Sequence, residues 1–235
     1  MANENASKFK NATVISHSML ASNFHYFNFQ TENPFTYKPG QYISVRVSDQ
    51  RVNSYSIAGH AGTYRLNVLV DTSPGGPGSK FFENLKIDDK ISYLGPFGTF
   101  TLKPEDEKKT ILFLGTGSGC SPLKCILESA LVEKNYKNEM VLYFGLRHQN
   151  DVFWQEHFRK LAKKYPNFKF KLVLSKPDET WQGQVGHITN YLKKDFPNAA
   201  NCTAYICGNK QMIDEATDIL LSKGCPKEKI YSERF

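Results

Sequence analysis

Gly115-Thr116-Gly117-Ser118-Gly119 lies between an apolar segment and a stretch with helical periodicity, and its chemistry suits a pyrophosphate. Glycines let a backbone approach the anion closely, and a helix start offers it free N–H groups and the positive end of the helix dipole. The run is neither G-x-G-x-x-G nor a loop ending in G-K-[ST], so a tight structural turn stays open as the alternative. Cys207-Gly208 follows the apolar TAYI and precedes a helical stretch containing Met212. Ligands of an open parallel sheet lie outside the carboxyl ends of its strands, which would set Cys207 and the glycine loop on one crevice. A buried cysteine acting as a small hydrophobe is the commoner state.

Two further groups lie earlier. Asn53-Ser54-Tyr55-Ser56 sits on a strand-like stretch, where a tyrosine beside a hydroxyl can stack on a flat heterocycle and bond its polar edge. Gly75-Gly76-Pro77-Gly78-Ser79 leads into a short helical stretch and could hold a second phosphate, although such turns are mostly only turns. The six histidines show no metal-ligand spacing, and no G-x-S-x-G elbow supports acyl transfer. The five cysteines form no zinc, disulfide or C-x4-C-x2-C iron–sulfur pattern, so a reducing cytoplasm is expected and any iron–sulfur centre belongs to a partner.

These residues need elements to hold them. Up to about residue 102 the chain reads as short β segments (NATVISH, FHYFNFQ, QYISVRV, TYRLNVLV, KISYLG) with SKFFENL as the one helix, which predicts a small antiparallel β-barrel or sandwich, the barrel being the form that removes exposed edges. Beyond KPEDEKK at 103–109, strands and helices alternate: TILFLG, MVLYFGLR, FKFKLVLS, CTAYICG and KIYSERF between four helical stretches. That order predicts an α/β domain with a five-stranded parallel sheet, and domains at 1–105 and 106–235. Ser121 is expected to cap the helix after the glycine loop, with Pro122 in its first turn.

The net charge of +7 divides into +2 over residues 1–105 (10 Lys/Arg against 8 Asp/Glu) and +5 over residues 106–235 (20 against 15). An excess this mild and dispersed could steer an acidic partner, but it lacks the basic stripe of a nucleic-acid binder, and none is expected. The first ten residues have no apolar core, and no apolar run approaches the roughly 18 residues of a membrane helix, so neither export nor a membrane span is expected.

In order along the chain, Pro39-Gly40-Gln41-Tyr42, Tyr55-Ser56, Gly76 to Ser79, Gly95-Pro96-Phe97-Gly98, the glycine loop, Phe144-Gly145-Leu146-Arg147, Cys207 to Met212 and Glu233-Arg234-Phe235 resemble the ferredoxin–NAD(P)H reductase family of flavoproteins. The resemblance implies an FAD-binding barrel and an NAD(P)-binding domain. Hydride would pass from NAD(P)H to FAD, and electrons on to an acidic electron-transfer protein: a ferredoxin, a flavodoxin or an oxygenase component. It implies that Arg51, Asn53, Tyr55, Ser56, Ile57, Val70, Gly76, Pro77, Gly78, Ser79 and Phe235 contact FAD. Thr116, Gly117, Ser118, Arg147, Ser175, Lys176, Cys207, Gly208 and Met212 would contact NAD(P), and Ser56, Cys207 and Glu233 would stand at the reacting centre.

Where the family has R-x-Y-S this chain has Asn53, and Arg51 lies two residues earlier on the same strand face. A reductase of free flavin, or a non-enzymatic flavin or nucleotide sensor, is therefore carried as an alternative.

Overall fold

The computed structural model describes residues 9–59 and 63–234. Six strands, β1 (Lys10–Ala21), β2 (Phe24–Thr31), β3 (Tyr42–Ser48), β4 (Arg51–Ser56), β5 (Arg65–Asp71) and β6 (Lys90–Phe97), form an antiparallel sheet ordered β4-β3-β6-β1-β2-β5. Its edges meet at an antiparallel bridge between Ile57 and Val68, backed by the Ala58 N–H donating to the Asn67 carbonyl at 2.9 Å. The sheet thus closes on itself as a barrel, as expected, and gives up both exposed edges. Alternate residues point inward: Phe27, Phe29, Val45, Leu66 and Val68 fill the core, and α1 (Pro77–Asn84) adds Phe82.

The second sheet is parallel throughout, ordered β10-β9-β8-β7-β11-β12, with β7 (Thr110–Thr116), β8 (Met140–Leu146), β9 (Phe168–Leu174), β10 (Gln184–Val185), β11 (Cys202–Gly208) and β12 (Ile230–Arg234). It has six strands where the sequence predicts five. β10 is two residues long, and so short a pairing carries no alternation to read. Helices α2 (Cys120–Glu128), α3 (Gln155–Lys164), α4 (Ile188–Asp195) and α5 (Lys210–Ser222) cover both faces, which is why β8 and β11 are buried along their whole length.

Ser121 does not cap α2. The capping position is Gly119, and Ser121 lies inside the helix with its Oγ buried and unpaired, because a 3-10 turn over Gly117–Gly119 starts the winding earlier. Among the described residues no helix is long and apolar enough to cross a membrane. All five cysteines are free and buried.

The barrel packs on the α2–α3 face of the parallel sheet. Phe24, Ala58, Leu69 and Phe100 join Phe113, Leu123, Ile126 and Phe144 in one apolar cluster, and the Phe24 and Phe153 rings lie 4.6 Å apart. The charged linker is anchored from beneath. Asp106 is fully buried, and its carboxylate accepts from the Lys103 N–H at 3.0 Å, from Thr203 Oγ1 at 3.0 Å and from the Tyr205 hydroxyl. Asp106→Ala removes these bonds and leaves the buried Thr203 hydroxyl without its acceptor, while the Tyr205 hydroxyl keeps the Thr101 carbonyl, so urea denaturation should record a loss of about 3 kcal/mol.

Candidate functional site

At the carboxyl ends of β7, β8 and β9 and the start of α5 lies a cleft of about 700 Å³, lined by Thr116, Gly117, Arg147, Ser175 and Met212. Strand order reverses beside β7, since β8 lies on one side and β11 on the other, and such a switch point opens a crevice between diverging loops. Gly117 takes a left-handed φ of +55°, which turns the chain from β7 into α2. Gly208 keeps the far wall close: a Cβ there would collide with Thr116 Oγ1 and Met212 Cε.

The two helix starts facing the cleft differ. At α5 the Asn209 side chain accepts from the Met212 N–H at 3.0 Å, whereas no side chain caps α2, which continues from the 3-10 turn Gly117–Gly119, the Cys120 N–H donating to the Gly117 and Ser118 carbonyls.

Ser118, Lys176, Cys207 and Gly208 are not among the residues lining the cleft; Cys207 is buried in the strand behind it. Lys176 is exposed, and its main chain ties two loops, its N–H donating to the Arg147 carbonyl at 2.9 Å and its carbonyl pairing with His148 Nδ1 at 2.8 Å. The sequence reading missed Asn23, Phe24, Asp71 and Ser73, by which the barrel forms part of the cleft wall. They belong to no motif. Asn209 was legible in principle, as a capping residue directly after Cys207-Gly208.

On the barrel, Arg51, Asn53 and Tyr55 share one face of β4. Arg51 Nε donates to Asn53 Oδ1 at 3.1 Å, and Asn53 Nδ2 to the Tyr55 hydroxyl at 3.5 Å. The start of α1 lies against this row: a Cβ on Gly78 would fall 2.5 Å from both Asn53 Nδ2 and the Tyr55 oxygen. A Cβ on Gly75 or Gly76 would meet nothing within 4 Å, and α1 has no side-chain cap. A guanidinium, an amide, a half-buried tyrosine ring and an uncapped helix start beside open space fit the phosphates and flat ring of FAD.

Ser56 is half-buried and pairs with Tyr42, while Ser79 is buried and Pro77 is exposed in the first turn of α1. The side chains of Ile57 and Val70 belong to the barrel core, so only their main chains are available to a ligand. Phe235 lies outside the described residues.

Gly115, Cys207 and Glu233 stand side by side on β7, β11 and β12. Cys207 is buried, and burial first, then the Glu233 charge, pushes its thiol far above the ordinary value, so it is neutral and not a ready nucleophile. Burial also raises the Glu233 carboxyl to about 7. Its Oε1 lies 3.5 Å from the position of a Cβ on Gly98, at the barrel's edge.

The family described as the oxidoreductase FAD-binding domain matches residues 11–102, and the oxidoreductase NAD-binding domain matches residues 113–218. A component of the Na(+)-translocating NADH-quinone reductase of Methylococcus capsulatus is 33% identical over 210 residues, which cover 82% of this chain and 51% of that protein. The ferredoxin–NAD(P)(+) reductase component of a naphthalene 1,2-dioxygenase system of Pseudomonas putida is 30% identical over 203 residues, covering 86% and 61%. The chain thus spans between 51% and 61% of the length of these relatives. An Amycolatopsis cytochrome P450 reductase superposes with a TM-score of 0.90 at 26% identity, covering 97% of this chain and 69% of that one. The ferredoxin-NADP+ reductase of Plasmodium falciparum, at 22% identity and a TM-score of 0.80, shares the fold over 97% of this chain and 96% of its own.

Glu233 predicts a pH signature. Between its ordinary value of 4.5 and about 7 the folded chain holds a proton that the unfolded chain has released, so stability falls as pH rises through that window. Glu233→Gln should flatten this slope and gain about 2 kcal/mol at pH 8, a figure reduced for the solvent that still reaches the carboxyl. Denaturation midpoints at pH 5 and pH 8 check it, and equal slopes in the two proteins would refute it.

Proposed function

This chain belongs to the ferredoxin–NAD(P)H reductase family of FAD- and NAD-binding oxidoreductases, and we propose that it takes hydride from NAD(P)H and passes electrons to a protein acceptor through FAD. One observation carries the reading: barrel residues Asn23, Phe24, Asp71 and Ser73 and the loop Thr116–Gly117 line one cleft, so a nucleotide held at that loop also faces the barrel. When bound, FAD supplies the exchange between a two-electron hydride donor and one-electron acceptors.

The chain's own residues bind, orient and shield. In this proposal residues 1–105 bind FAD, with Arg51, Asn53 and the Gly76–Ser79 turn on its phosphates, Tyr55 against its ring, Ser56 at its polar edge and the main chains of Ile57 and Val70 beside it. Residues 106–235 bind NAD(P)H, with Thr116 to Ser118 on the phosphates, Arg147, Ser175 and Lys176 toward the ribose, and Gly208 and Met212 on the far wall. Cys207 gives a dry neutral surface next to the nicotinamide, and Glu233 keeps a proton on its carboxyl up to about pH 7. Phe235 is proposed to close over the flavin.

The +7 charge supports an acidic acceptor, a ferredoxin, flavodoxin or oxygenase component, and the free cysteines support a cytoplasmic location. Asn53 at the family's arginine position favours a second reading, a reductase that releases its flavin.

Anaerobic addition of NADH or NADPH to the purified yellow protein should bleach the flavin band with one donor preferred. A colourless protein that oxidises nucleotide only with added flavin would favour the second reading, and a bound flavin that neither donor bleaches would refute hydride transfer. Arg51→Ala should weaken FAD binding about tenfold in a fluorescence titration, as expected for one charged hydrogen bond, and unchanged affinity would remove Arg51 from the phosphate site.

A further inference from the structure

The closing segment of the barrel is gripped from the other half of the molecule. Cys125, on α2, is 1% exposed, and its Sγ lies 3.3 Å from the carbonyl oxygen of Ile57, 68 residues away in sequence. Ile57 directly follows Ser56. Its N–H donates to the Gln41 carbonyl at 3.0 Å, and it forms the bridge to Val68 that shuts the barrel. Burial raises the Cys125 thiol to about 12 against the pull of the nearby Lys124 charge, so it remains a protonated donor across the working pH range.

The helix bearing this thiol begins at the glycine loop. Cys125 lies five residues beyond Cys120, the first residue of α2, about 8 Å along the axis. The helix is packed on both sides along that span: Cys120 Cα lies 3.4 Å and Leu123 Cδ1 2.8 Å from the position of a Cβ on Gly115, and Ile126 Cδ1 lies 2.9 Å from that of a Cβ on Gly40 in the barrel. A packed helix of this length changes little in extent, so it sets the separation between the loop at its start and the strand end it grips.

We propose that Cys125 is a positioning residue: by donating its buried thiol proton to the Ile57 carbonyl, it holds the Ser56–Ile57 segment, on which the flavin rests, in register with the helix that starts at the dinucleotide loop. The proposal rests on the FAD reading above. Cys125 touches no reacting atom; it acts through the main chain of Ile57.

Cys125→Ser keeps a donor, Cys125→Val keeps apolar bulk without one, and Cys125→Ala removes the donor with the least crowding should valine fail to fold. Each is stripped of flavin and titrated with FAD, and the visible spectrum and midpoint potential of the bound flavin are recorded. Valine and alanine should bind FAD about fivefold more weakly with displaced bands and potential, while serine stays within about twofold of wild type on all three readouts. A donorless variant that matches wild type, or a serine variant that shares their loss, overturns the proposal. Wild-type protein that takes up no FAD overturns the parent reading in that arm alone, and the proposal falls with it.

Discussion

The apolar face of α2 is buried on two sides at once. Cys120, Leu123, Ile126 and Leu127 pack with Phe113 and Tyr205 of the parallel sheet and with Ala58 and Phe100 of the barrel end in one cluster. Burying four such side chains is worth several kcal/mol, more than the surface ion pairs could supply. The same face fixes three other features: where the glycine loop ends, where the barrel closes and which wall of the cleft the barrel provides. Gly40 records how tight the seam is, since at φ +99° any side chain would also strike the Phe100 carbonyl.

Three carboxyl groups within this frame meet different fates, and their surroundings explain why. Asp106 is buried with a full set of donors and ties the linker to β11. Glu128 is buried beside the barrel seam, where desolvation is outweighed by the His157 bond and the Lys124 charge, leaving its carboxyl below the ordinary value. Glu233 makes no side-chain hydrogen bond among the described residues, so nothing offsets desolvation and it retains a proton to about pH 7. A proton held at that sheet edge, beside the thiol of Cys207, keeps the region nearly neutral.

The cleft and the β4–α1 row divide the binding work by similar physics. Each pairs a helix start that has no side-chain cap with glycines that allow close approach. They differ in charge. The β4–α1 row has Arg51 linked through Asn53 to Tyr55, whereas the cleft mixes Arg147 with Asp71, Asp151 and Glu215.

Much was determined by the sequence alone, because local rules act over a few residues. The alternation of Phe27 and Phe29, the continuous apolar run of β11, the glycines at 115–119 and the placement of Arg51, Asn53 and Tyr55 on one face all follow from periodicity and backbone freedom. The resemblance of motifs in order added the two cofactors. Tertiary structure decided what depends on residues distant in the chain: the Ile57–Val68 closure, the barrel's share of the cleft, the two-residue β10, the burial of Asp106 within a charged stretch and the proton on Glu233. Ser121 shows the boundary between the two. Its type and position signal a cap, but the 3-10 turn before it and the barrel packed on α2 placed it within the first turn of a buried helix, since contact across the fold outweighs a capping preference of about 1 kcal/mol.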